Sequence, residues 1–97
     1  MVAWVTFARA GFVLTGDEPV RYRSSPGVVR SFCGRCGTPV CYARDDEPET
    51  LDVTTISLDR ADELPPADHT WVGDSLAWIQ SIEALPRHRR RRNDPDE

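Results

Sequence analysis

The sequence has no apolar run that approaches the ~18 residues a membrane-spanning helix requires. Its opening residues, Met-Val-Ala-Trp-Val-Thr-Phe, also lack the basic start, the long apolar stretch and the cleavage site of a signal peptide. We therefore expect no membrane partner and a cytoplasmic location.

Cysteine is scarce, and the sequence contains three, an odd number that does not suit the disulfide framework of a small secreted domain. Two of them, Cys33 and Cys36, form a Cys-x-x-Cys pair. In a reducing compartment such a pair indicates metal binding or redox chemistry. The cytoplasm is therefore the default location.

Lysine is absent, so all twelve basic residues are arginines, and the formal net charge is −4. Residues 1–86 hold seven arginines and thirteen acidic residues, a net charge of −6. The run Arg89 to Arg92 is followed by three acidic residues, which is typical of a solvated tail. An acidic body argues against a nucleic-acid surface, and we predict no nucleic-acid partner.

The length of 97 residues predicts one domain, and eight prolines and six glycines indicate a turn-rich chain. Apolar residues alternate with period two, which predicts an all-β fold. We expect a β-domain over residues 1–85 and a disordered, charged tail over 86–97. The predicted strands are 2–7, 11–15, 20–24, 28–32, 39–44, 51–58 and 69–72. A helical turn is expected at 59–64 with Asp59 as its N-cap, and a short helix or extended segment at 74–82.

The most informative stretch is Phe32-Cys33-Gly34-Arg35-Cys36-Gly37, which lies between two predicted strands. A Cys-x-x-Cys pair in such a turn suits a metal knuckle, and a glycine after the second cysteine permits a positive φ. A thioredoxin-like pair would instead open a helix, which Gly37-Thr38-Pro39 does not suit. Incidental thiols are the remaining alternative. The spacing favours Cys33 and Cys36 as metal ligands, and therefore one half of a zinc site.

A structural zinc requires four ligands, and further candidates are few. Cys41 would lie up to ~16 Å from Cys36 along an extended chain, so a small apolar strand position is favoured for it. His69 stands near a tryptophan and is more often packed or hydrogen-bonded than a ligand, although a role in proton transfer is an alternative. His88 lies inside the arginine run and is a poorer candidate. Trp71 and Trp78 favour packing over the lining of a small-molecule pocket.

The order of several motifs resembles the glutathione-dependent formaldehyde-activating (Gfa-like, centromere protein V) family over about residues 2–85. The motifs are Val2-Ala3-Trp4-Val5-Thr6-Phe7, Tyr22-Arg23-Ser24-Ser25-Pro26-Gly27, Arg30 to Pro39 around the cysteine pair, Leu51-Asp52-Val53-Thr54-Thr55, and Asp68-His69-Thr70-Trp71-Val72 with Trp78. The resemblance implies a β-tent of packed antiparallel sheets and a carbon–sulfur lyase acting on glutathione–aldehyde adducts. It also implies a structural zinc held by Cys33, Cys36 and an upstream Cys-x-Cys, and a catalytic zinc held by an upstream Cys-x-Cys-x-x-Cys.

Both upstream motifs would lie before Met1, so we expect a fold that is incomplete at the N-terminus and a chain without catalytic residues. Cys33 and Cys36 carry over as structural ligands only. Three hypotheses follow: an N-terminally truncated zinc-dependent lyase, a non-catalytic zinc-binding or assembly module such as a homodimer sharing one zinc, and a nucleic-acid-binding zinc ribbon. The first is favoured and the third is the weakest. The expected partner is a small-molecule thiol adduct.

Overall fold

The structure is a computed structural model, and it describes residues 1–93. Within them, five strands form one antiparallel sheet in the order β1-β5-β4-β3-β2. The strands are β1 Trp4–Ala8, β2 Val20–Ser25, β3 Val28–Phe32, β4 Pro39–Arg44 and β5 Thr50–Thr54. The predicted all-β fold with antiparallel strands is confirmed, and the described residues contribute a single sheet.

Tight turns account for the meander from β2 to β5. Pro26 and Gly27 connect β2 to β3, and Gly27 has a φ of 77°, a left-handed conformation that glycine adopts without a Cβ clash. The backbone N–H of Asp45 donates to the Gly27 carbonyl over 2.8 Å and ties the end of β4 to this turn. The strands predicted at 20–24 and 28–32 are therefore confirmed as a hairpin closed by Pro26 and Gly27.

The sheet has a small buried centre. Cys41 on β4 and Val53 on β5 are paired across the ladder, and they are 6% and 2% exposed, respectively. Thr54 is also buried, and its hydroxyl donates to the Pro39 carbonyl over 2.8 Å. A buried hydroxyl with a hydrogen-bond partner does not carry the desolvation cost of an unsatisfied one. The buried centre at the pairing of β4 and β5 therefore combines apolar side chains with one hydrogen-bonded hydroxyl.

The predicted strand at residues 11–15 is wrong. Gly11 and Gly16 both have a φ of 85°, and the Phe12 N–H closes a turn on the Arg9 carbonyl over 3.1 Å. Phe12 instead rests against Phe7, with ring centroids 6.0 Å apart. Phe12 and Leu14 therefore lie in a loop, and none of the strands described above pairs with it.

The predicted strand at 51–58 is too long, because β5 ends at Thr54 and a 3₁₀ segment, Thr55–Ser57, follows it. The Ser57 hydroxyl donates to the Thr54 carbonyl over 2.8 Å, a local bond that competes with further strand pairing. The predicted helical turn appears as a 3₁₀ segment, Ala61–Glu63. Its N-cap is Arg60 rather than the expected Asp59, and that cap makes no side-chain hydrogen bond.

The chain divides into two compact units, Met1–Ala67 and Asp68–Glu97. In the second unit the predicted strand at 69–72 is wrong, because Trp71 has a left-handed φ of 58° and begins a 3₁₀ segment, Val72–Asp74. Another 3₁₀ segment, Ala77–Ala84, overlaps the short helix or extended segment expected at 74–82. The predicted boundary between 85 and 86 stays a prediction, and residues 94–97 of the expected tail lie outside the described residues.

Candidate metal half-site and the adjoining cleft

The Cys-x-x-Cys pair lies on a tight loop between β3 and β4. Cys33 follows the last residue of β3, and its N–H donates to the Thr38 carbonyl over 2.9 Å. The Gly37 N–H donates back to the Cys33 carbonyl over 2.8 Å, and Gly37 has a φ of 78°. A residue with a Cβ is strained at that φ, so glycine is needed to close the loop. The expected knuckle between two strands is confirmed.

The two thiols of this knuckle lie close together and are not joined by a disulfide. The Cys36 sulfur is exposed and lies 3.0 Å from the Thr38 hydroxyl oxygen. Hydrogen bonds from the Thr38 side chain and backbone, followed by one from the Cys33 thiol, lower the pKa of Cys36 from its ordinary value. The thiolate is the form that binds metals, so these hydrogen bonds favour the ligating state.

Gly34 fixes the knuckle against the neighbouring strand. A Cβ built on Gly34 would lie 3.2 Å from a methyl carbon of Val20 on β2. That distance is tighter than an ordinary van der Waals contact, so the Val20 side chain would have to move by a few tenths of an ångström to accept a larger residue. Glycine at this position therefore allows the close approach of the loop to the sheet, a packing role that the sequence pattern did not indicate.

Cys41 occupies a different environment from the knuckle thiols. It lies on β4 between Ser31 of β3 and Val53 of β5, and burial raises the pKa of its thiol. A neutral thiol in a buried strand position is a packing group, in agreement with the small apolar role expected for it. The structure does not bring Cys41 into a ligand group with the knuckle cysteines.

His69 and His88, the other residues considered as ligands, are exposed and belong to the second unit. Among residues 1–93, no group of three or more histidine, cysteine or acidic side chains is placed so that it could hold a metal ion. The donor set of the knuckle therefore fits two of the four positions of a structural zinc site.

A cleft of about 580 Å³ lies beside the knuckle. Cys33, Gly34 and Arg35 form one part of its lining, and the loop from Phe12 to Pro19 forms another. The Arg35 guanidinium lies 3.1 Å from an Asp17 carboxylate oxygen and links these two walls. This cleft was missed because residues 11–15 were expected to be a strand. Their Gly11 and Gly16 boundaries are the signal that favours a loop.

The protein is therefore a small antiparallel β-protein with a Cys-x-x-Cys knuckle, in which two free thiols lie on a loop closed by glycine. A family model described as glutathione-dependent formaldehyde-activating enzyme matches residues 1–74, which include the whole sheet and the knuckle. The chain belongs to this family. Comparisons with curated proteins and with solved structures gave no match.

The described residues also lack any helix with the length and apolar character needed to cross a membrane.

Proposed function

We propose that this chain is a zinc-binding member of the family in which Cys33 and Cys36 supply two thiolates of a structural zinc site. The observation that carries the proposal is the knuckle itself, where the loop from β3 to β4 brings both thiols together. The lowered pKa of Cys36 supports it, because metal binding requires deprotonated sulfur. A zinc ion bound there would contribute folding free energy to a small sheet.

The reaction that we propose for the family member is carbon–sulfur bond cleavage or formation in a glutathione–aldehyde adduct. Family membership supports this reaction class. The cleft of about 580 Å³ beside Cys33 falls within the range of small-molecule sites. In such an enzyme a catalytic zinc keeps an open position that polarises substrate oxygen or sulfur. Arg35 and Asp17 would contribute a paired charge at the mouth of the cleft.

We further propose that this chain does not catalyse the reaction by itself. The sequence contains three cysteines, of which the knuckle uses two. The third, Cys41, is buried and its pKa is raised, so it favours the neutral thiol. A three-thiolate catalytic site therefore requires ligands from outside this chain. A chelator-sensitive turnover of the adduct by the purified chain would contradict this part of the proposal.

The second candidate is a non-catalytic assembly module in which two copies share one zinc. The exposure of Cys36 and of the loop around it favours this candidate, because a second knuckle can approach without displacing packed side chains. Two Cys33–Cys36 pairs supply the four thiolates that a structural site needs. Either candidate places the protein in a reducing, cytoplasmic compartment, where the thiols stay available for metal.

Metal analysis combined with light scattering on the purified chain tests both candidates. The Cys33→Ser variant should lose its zinc, whereas the control Cys41→Ala should keep it because Cys41 is a packing residue. One zinc per two chains in a dimer supports the shared site. A stable monomer that holds one zinc per chain would overturn the half-site and would require Cys41 or His69 as further ligands.

A further inference from the structure

Arg30 differs from the other arginines of the Met1–Ala67 unit. Five of them lie within 4 Å of a carboxylate oxygen, and the Arg9 side chain donates to the Thr50 carbonyl over 3.3 Å. The five are Arg21, Arg23, Arg35, Arg44 and Arg60. Arg30 has no carboxylate or carbonyl partner within residues 1–93, and its guanidinium lies over the Tyr42 ring, 4.8 Å from the centroid. Its N–H donors are therefore available to a ligand.

Aromatic side chains lie on the same face of the sheet as this guanidinium. Arg30 pairs directly with Tyr22 on β2 and with Tyr42 on β4, and directly opposed residues of an antiparallel ladder share one face of the sheet. Trp4 makes an edge-on contact with Tyr42, with centroids 6.2 Å apart. Tyr22 is 62% exposed, so its ring presents a free surface beside Arg30. The result is one cation among three aromatic rings.

A shallow cleft of about 230 Å³ lies at this cluster and is lined by Trp4, Tyr22, Arg30, Phe32 and Pro39, among others. Its lining residues are distinct from those of the larger cleft beside Cys33. This volume is below the ≈ 300–1,000 Å³ of sites for drug-sized ligands, so a ligand with a single ring matches it.

The charges around this cleft favour a negatively charged ligand. Asp52 pairs across the ladder with Tyr42, and its Oδ1 accepts a hydrogen bond from the Thr6 hydroxyl over 2.6 Å. Within residues 1–93, no acidic residue lines the cleft. A guanidinium stacked on an aromatic ring keeps its edge free for a carboxylate, the group whose two oxygens match its donors.

We propose that this cleft binds a small aromatic carboxylate. The ligand ring packs against Trp4 and Tyr22, and its carboxylate accepts hydrogen bonds from Arg30. Aromatic contacts and one charge-assisted pair in an open cleft correspond to a dissociation constant on the order of 1 mM. This site goes beyond the metal half-site, and it does not depend on zinc or on the reaction proposed above.

The test is an NMR titration of the ¹⁵N-labelled chain with benzoate, with neutral benzamide as the matched probe. Benzoate should shift the amide resonances of Tyr22, Arg30 and Phe32 saturably, and benzamide should bind at least about tenfold more weakly because it lacks the charge. Arg30→Gln should weaken benzoate binding at least tenfold. The control Arg23→Gln should change it by less than twofold, because alternation places Arg23 on the opposite face, where it pairs with Asp45.

Equal binding of benzoate and benzamide, or an unchanged affinity in Arg30→Gln, would overturn the proposal. If the NMR spectrum of Arg30→Gln shows that this variant is unfolded, Tyr22→Ala on the exposed edge strand replaces it. Unchanged benzoate binding by Tyr22→Ala would also overturn the proposal. Glutathione serves as a competitor. Displacement of benzoate from these resonances by glutathione at a lower concentration would also overturn the assignment to an aromatic acid.

Discussion

Cys36 and Cys41 lie close together in the sequence, yet their surroundings in the structure differ. Cys36 is exposed on a glycine-closed loop, and hydrogen bonds from Thr38 and Cys33 lower its pKa. Cys41 is buried in the sheet opposite Val53, and desolvation raises its pKa. The same side chain therefore favours the thiolate in one place and the neutral thiol in the other. Local environment separates a ligand position from a packing position.

The largest effect that would test this comparison is on folding. Cys41→Asp places a carboxylate where ionisation is already disfavoured, and it should lower the free energy of unfolding by about 3–4 kcal/mol. Against a net stability of roughly 5–10 kcal/mol, this loss leaves a marginal domain. Cys36→Asp should change it by less than about 0.5 kcal/mol, since the new carboxylate stays in water. Urea unfolding of both variants, with chelator and reductant present, measures the difference. Equal losses would contradict the comparison.

A smaller effect is expected from the backbone of the knuckle. Gly37→Ala forces a Cβ onto a φ of 78° and should cost about 1–2 kcal/mol while it loosens the loop that holds Cys33 and Cys36. Gly73→Ala is the matched control, because Gly73 has no positive φ and a Cβ there meets no atom within 4 Å. The free energy of unfolding and the zinc content should both fall in the first variant only. A Gly37→Ala protein with unchanged values would show that the loop does not need glycine.

The smallest effect concerns the reactivity of the thiols. In metal-free protein near neutral pH, iodoacetamide should modify Cys36 at least about tenfold faster than Cys41, because only exposed thiolate reacts. Thr38→Val removes a hydrogen bond that stabilises the Cys36 thiolate, so the pKa of Cys36 should rise. The pH profile of its alkylation should then move to higher pH, whereas that of Cys41 should not. Mass spectrometry of the modified peptides measures both rates, and a profile that stays in place would exclude Thr38 as the cause.

Local patterns predicted the parts of this fold that depend on neighbouring residues. The hairpin at Pro26 and Gly27 and the knuckle at Cys33 to Gly37 follow from turn residues set between alternating apolar runs. The burial of Cys41 could be predicted for the same reason, since it lies within an alternating strand. These features needed no knowledge of distant contacts.

Features that depend on distant contacts were missed. Phe12 and Leu14 alternate like a strand, but the loop packs Phe12 on Phe7 and contributes to the cleft instead. At the end of β5, the Thr54 hydroxyl donates to the Pro39 carbonyl of β4, a distant contact that adds to the local bond from Ser57. Arg30 belongs to the motif around the cysteine pair, but its surroundings were missed, because they come from strands that only the register of the sheet brings together.

The position of β1 at the edge of the sheet has a consequence for the order of folding. β2 to β5 pair with sequence neighbours, whereas β1 pairs, within the part of the chain that the structure describes, only with β5. Its Thr6 meets Asp52 at a separation of 46 residues. Closing a loop of that length costs about 2 kcal/mol more entropy than closing a short hairpin. We therefore expect the meander to form first and β1 to join in a slow, late step. The rate of that step could be measured from the change in Trp4 fluorescence as the Trp4 ring comes into contact with Tyr42.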